Sequence, residues 1–136
     1  MSPNTTPAIR AYQHVGTECA LSDCSPHRLI QMLYEAVLDR LAAARGCLER
    51  RQFAEKGALI ARAIAILAAL RGWLDKERGG EIAQNLERLY DYMERRLMQA
   101  HVENDPAILE EVAGLLREIK LGWDAIAPGG TRAVGP

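Results

Sequence analysis

Few residues in this chain are of types and spacings that could do chemistry. Cys24-Ser25-Pro26-His27 has a metal-like gap, but a tetrahedral zinc site needs four ligands and no second pair completes one. His27 is instead expected as an exposed side chain near a helix start. A di-metal carboxylate site in a helical protein needs inward-facing Glu-x-x-His pairs. None of His14, His27 and His101 has a Glu three residues before it. Haem is open in principle to His or Met ligands, yet no His falls on an apolar stripe. No phosphate-cradling Gly loop and no nucleophile elbow is present. Glu87, Asp91 and Glu94, and the pairs Arg50-Arg51 and Arg95-Arg96, read as solvated faces. Arg96 lies closest to its helix's apolar stripe and is placed to pair across to a neighbour. The expectation is no catalytic residue, no cofactor and no metal, hence not an enzyme.

The bulk properties agree. A chain of 136 residues suits one domain around one core. With 17 Lys+Arg against 18 Asp+Glu the formal net charge is -1, which argues against a phosphate-tracking nucleic-acid binder. No apolar run approaches a membrane span, so no membrane insertion is expected. Met1 to Arg10 has no apolar core after a basic start, so no secretory signal is read. Cys19, Cys24 and Cys47 are odd in number, which fits reduced thiols in a cytoplasm better than a disulfide framework.

Four helical segments must position whatever function there is. Ser25-Pro26 opens the first, with Ser at the N-cap and Pro where the N–H has no partner anyway, and it runs to about Glu49. Its core face is read as Leu29, Leu33, Ala36, Val37, Ala44 and Cys47. A second apolar group, Ile30, Tyr34, Leu38 and Leu41, lies a quarter-turn or more away. Arg50-Arg51-Gln52 connects to a second helix over about Phe53 to Lys76. There Ile60, Ala63, Leu67, Leu70 and Leu74 form one seam, and Leu59, Ile66 and Trp73 another. The Gly79-Gly80 pair opens the third helix, which ends near His101. Its stripe is read as Ile82, Leu86, Leu89, Met93, Leu97 and Ala100. Asp105-Pro106 restarts the chain, and Ile108, Val112, Leu115, Leu116, Ile119, Trp123 and Ile126 stripe the fourth helix until Pro128-Gly129-Gly130. Short links join antiparallel neighbours. The fold is therefore all-α, an antiparallel up-down-up-down four-helix bundle over residues 25–127. Residues 1–24 are read as a flexible N-terminal segment open to a groove-capping or a cargo-contacting role, and residues 128–136 as a disordered tail.

The first two helices, and the area near Tyr90 and Tyr92, carry more apolar surface than such a bundle hides, and exposed apolar grooves on bundles bind helices. Ile30, Tyr34, Leu38, Leu41, Leu59, Ile66 and Trp73 are the expected partner-binding residues. In the N-terminal segment Ile9, Tyr12 and Val15 form an apolar trio at helical spacing. It is either a frayed tail or a segment that docks on the apolar surface. The surplus surface is either a cargo site or a homodimer contact.

Several stretches resemble the flagellin-specific export chaperones, the FliS family. These are Ala11-Tyr12, Ser25 to Tyr34, Lys56-Gly57 with Ala63-Ile64, Gly79 to Leu97, and Glu110-Glu111-Val112 through Trp123. The Ala-rich middle of the second helix and the tail after Pro128 depart from the pattern. The resemblance implies a non-enzymatic cytosolic four-helix-bundle chaperone. It implies binding to the C-terminal region of flagellin, prevention of premature polymerisation, and delivery to the flagellar type III export gate. It also implies that the N-terminal segment, here with Ile9 and Tyr12, folds over the cargo surface and moves when cargo binds.

Overall fold

A computed structural model of the protein describes residues 25–126. The Ser25 side chain accepts from the Arg28 N–H at 3.1 Å and Pro26 occupies the first turn, so α1 starts where the cap chemistry dictates and spans Pro26–Glu49. It ends with Gln52 N donating to the Cys47 carbonyl and Arg51 N to the Leu48 carbonyl, a Schellman closure with Arg51 at φ 58. α2 spans Phe53–Gly72, α3 Lys76–Glu103 and α4 Pro106–Asp124. α4 begins as expected: Asp105 caps the Ala107 N–H at 2.9 Å and Pro106 follows.

The α2–α3 boundary differs from the expected one. α2 stops at Gly72, four residues short of Lys76, and Asp75 caps a new turn through the Arg78 N–H at 3.2 Å. That turn meets the body of α3 at Gly80, whose φ of 55 and ψ of -130 break helical geometry. The Gly pair is thus a kink within α3 rather than its start.

α1 packs on α2 and α4, and α3 packs on the same two, as an up-down-up-down square requires. The core seams run in steps of three and four. Leu33, Val37, Leu41 and Ala44 on α1 meet Ile60, Ala63, Leu67 and Leu70 on α2, Tyr90, Met93, Leu97 and Ala100 on α3, and Leu109, Val112 and Leu116 on α4. The expected stripes shift: on α2 the core takes Ile66 and leaves Leu74 partly buried, and on α4 it takes Leu109 and Ala113 and leaves Leu115, Ile119 and Trp123 partly buried. On α1 the core takes Tyr34 and Leu41 and leaves Leu29 and Ala36 partly buried. On α3 it takes Ala83 and Tyr90, leaving Leu89 half-buried and Ile82 exposed.

Arg96 does pair across the bundle. Its Nε and Nη2 donate to Glu111 Oε1 at 2.9 and 2.7 Å, and the Tyr92 hydroxyl donates to Glu111 Oε2 at 2.5 Å. Glu94, expected in solvent, instead accepts from Arg71 on α2 at 2.8 and 3.1 Å. Asp91 and Arg95, read as solvated, pair with each other on the surface at 3.0 Å.

Candidate functional site

Where α2 stops and α3 kinks, the four helices fail to close. A cavity of about 210 Å³ opens there. Ile30 and Tyr34 enter it from α1, Leu70 from α2, Ile82, Ala83, Leu86 and Tyr90 from α3 and Trp123 from α4, with Trp73, Leu74 and Asp75 from the turn. Asp75 is the charged residue in this lining. Trp73 and Ile82 stand half out of the protein, at 46% and 52% exposure. Tyr34 and Tyr90 are buried, their hydroxyl oxygens 2.7 Å apart. Burial raises the pKa of both phenols, so both stay neutral.

Beside the cavity, His27 and Trp123 tie α1 to α4. Their rings stack at 4.8 Å. His27 Nε2 donates to the Trp123 carbonyl at 2.8 Å, and Trp123 Nε1 donates to the His27 carbonyl at 3.0 Å. His27 is 4% exposed, so the expectation of an exposed side chain is corrected. The aromatic partner lies 96 residues away on another helix, beyond any local pattern. Among the described residues no cluster of His, Cys, Asp and Glu could hold a metal. Cys24 and Cys19 lie outside them, and Cys47 is buried as a free thiol.

A second concave region runs along the α1–α4 seam. One cleft of about 500 Å³ is bordered by Leu38, Leu121 and the charged Glu35, Asp39, Arg117, Lys120 and Asp124. A smaller one of about 150 Å³ adjoins it at Leu38, Leu41, Ala42 and Ala113. Leu121, on the border of the larger cleft, is 72% exposed. Lys120 donates to Asp124 at 2.6 Å and pairs with Glu35 at 3.7 Å, so the rim charges are largely engaged with one another. The Asp124 carboxyl is held below its ordinary value, chiefly by that Lys120 hydrogen bond.

The residues expected to bind a partner are therefore divided. Ile30, Tyr34 and Trp73 share the first cavity, and Leu38 and Leu41 border the α1–α4 clefts. Leu59 is partly buried against the core and lines neither. The reading of an exposed outer arc is corrected for Tyr34, Leu41 and Ile66, which are 3%, 2% and 1% exposed. Each lies on the face by which its helix packs on two neighbours. Ile9 and Tyr12 lie outside the described residues. Sequence reasoning missed Ala83 as a cavity residue and Leu121 as an exposed apolar group, whereas the apolar surface expected near Tyr90 does meet the cavity. The step from Ala83 through Leu86 to Tyr90 was the signal available.

Far from the cavity, Lys56 is buried at 2% exposure with no carboxylate partner among the described residues. Its ammonium donates to His101 Nδ1 at 2.8 Å, the His101 carbonyl at 2.9 Å and Asn104 Oδ1 at 2.6 Å. Three donors meet three acceptors, and the charge sits at the C-terminal end of α3, where the helix dipole favours a cation. Burial lowers the Lys56 pKa. Gly57 leaves room for the His101 ring, since a Cβ there would lie 2.9 Å from its Cε1.

Comparison with known proteins bears on the whole bundle. A family model described as "Flagellar protein FliS" matches residues 8–130. A flagellar secretion chaperone FliSB of Pseudomonas aeruginosa is 54% identical over 120 residues, 88% of this chain and 95% of that protein. A flagellar secretion chaperone FliS of Salmonella typhimurium is 46% identical over 125 residues, 91% and 93% of the two chains. A FliS of Bacillus subtilis is 30% identical over 104 residues, 76% and 77% of the two. Such coverage means the similarity extends over all four helices and does not rest on one motif.

Proposed function

This chain belongs to the FliS family, and from that premise we propose that it is a non-enzymatic flagellar secretion chaperone working in the cytoplasm. Its cargo is the C-terminal region of flagellin, held so that it does not polymerise early and delivered to the flagellar type III export gate. The observation that carries this reading is the unclosed end of the bundle, an apolar cavity rimmed by half-exposed Trp73 and Ile82. Apolar surface of this kind on a helical bundle suits amphipathic helices of a partner. The α1–α4 seam with Leu38 and Leu121 offers a second contact. A cargo segment that folds as it binds sacrifices roughly 2–5 kcal/mol in ordering. An extended contact across both regions offsets that better than either alone. Ile30, Trp73 and Leu38 are the contact residues favoured by their place in the two concave regions. Tyr34, Leu41 and Ile66 act from beneath, and Leu59 stays in the proposal as a peripheral contact. Residues 1–24 act as a removable cap through Ile9 and Tyr12.

Calorimetric titration with flagellin tests the assignment. Saturable binding to full-length flagellin, lost when its C-terminal region is deleted, is the expected result. No heat with either cargo, together with a tight dimer in sedimentation at sub-micromolar concentration, would establish the homodimer reading in its place. Truncation before Ser25 tests the cap and is expected to tighten cargo binding. A cap closed nine-tenths of the time reduces affinity about tenfold.

A further inference from the structure

The Tyr34–Tyr90 pair leaves one proton unspent. Two phenols carry two hydroxyl protons. One is used in the 2.7 Å bond between them. Whichever tyrosine accepts that bond still holds its own proton, and no acceptor among the described residues takes it. Both side chains are at least 97% buried, both line the cavity, and burial keeps both neutral. A buried donor without an acceptor is unfavourable, whereas the apolar groups around it are content to meet an apolar body. The cavity is thus complementary to one kind of group: an apolar residue that brings a single hydrogen-bond acceptor.

A peptide supplies that combination at restricted places. Carbonyls inside a helix are already bonded, but the last four of any helix have no partner within it. A whole helix, 10–12 Å across, does not fit in about 210 Å³, whereas one side chain with its peptide group does. We propose that the cavity receives an apolar residue from the last turn of an amphipathic cargo helix, and that the Tyr34–Tyr90 hydroxyl relay donates to that residue's free main-chain carbonyl. The inference rests on the cargo-chaperone reading and adds to it the register at which a cargo helix ends on the protein.

The test uses the full chain and flagellin, with Tyr34→Phe, Tyr90→Phe and the double variant. Removing both hydroxyls leaves an apolar pair of the same shape, so helicity and melting are expected to hold. The double variant is expected to bind flagellin about three- to tenfold more weakly, the value of one neutral hydrogen bond. One single variant should reproduce that loss and the other should not, because the pair has one proton to give and a single hydroxyl delivers it to the cargo. Equal affinity of wild type and double variant overturns the relay and leaves the cargo reading intact. Absence of binding by the wild type overturns both. Should the double variant fail to fold, the wild type decides: the hydroxyl protons of labelled tyrosine are followed by NMR as flagellin is added. One resonance should shift and exchange more slowly with water, while unchanged shift and exchange overturn the proposal. Trp73 and Trp123, the chain's two tryptophans, border the same cavity and report its occupancy by fluorescence.

Discussion

Gly57 and Lys56 show how much one residue can depend on a distant one. The buried ammonium holds the His101 ring and backbone, and that ring then occupies the space a Cβ at residue 57 would need. A free surface histidine would swing away from an added methyl group. This one is tied by Nδ1 and can yield only by loosening Lys56. Gly57→Ala is therefore expected to destabilise the protein by about 1–3 kcal/mol, the usual range for overpacking. In a His101→Ala background the same change should cost little, because alanine is the better helix former. Urea denaturation of the four proteins closes the cycle, and an equal cost in both backgrounds would show that the clash is not with His101.

At the scale of elements, the ends of the helices decide the geometry and two predictions follow from them. α1 closes through Arg51 in the left-handed region, where a Cβ is strained. Arg51→Gly keeps the two closing hydrogen bonds and removes that strain. A gain of about 1 kcal/mol in chemical denaturation is expected, and a loss would mean that the Arg51 side chain matters more than its backbone. The α3–α4 contact turns on Glu111. Its carboxyl is held below its ordinary value first by the Tyr92 hydroxyl and then by Arg96. A depressed folded pKa gives stability that is fully present above the unfolded value, near 4.3, and is lost as pH falls through the folded one. Glu111→Gln should lower stability at neutral pH and flatten the acid limb of a melting-temperature profile. An unchanged acid limb would assign the acid sensitivity to other carboxylates.

For the whole molecule, the distinction that matters is between residues that hold the bundle and residues that meet a partner. Ile66, 1% exposed, falls in the first group by its burial, and the proposed cargo contact puts Leu38 and Trp73, which line the two concave regions, in the second. Ile66→Ala should destabilise by about 2–5 kcal/mol through the cavity it leaves. Leu38→Ser and Trp73→Ser should keep the melting temperature within a few degrees and weaken flagellin binding about tenfold each. Calorimetry against flagellin, run beside thermal melts, separates the two classes. A Leu38→Ser variant that unfolds, or one that binds unchanged, would remove the α1–α4 seam from the cargo contact.

Helix number, class and most helix starts were legible in the sequence because they rest on local causes. Ser25-Pro26 and Asp105-Pro106 satisfy end groups within a few residues, and apolar periodicity persists in any surroundings that bury it. The resemblance carried by Gly79 to Leu97 likewise needed nothing beyond the chain itself. Which apolar residues remain on the surface was a tertiary matter. Tyr34 and Ile66 sit on stripes indistinguishable from that of Leu38 until the neighbouring helices fix how far each stripe is covered. His27 was buried by Trp123 and Glu94 was engaged by Arg71, partners 96 and 23 residues away. The cavity itself exists because α2 stops at Gly72 and α3 bends at Gly80, so that two helix ends part beside two tyrosines. Local preference sets where each helix begins, but only the packed bundle decides what its ends leave open.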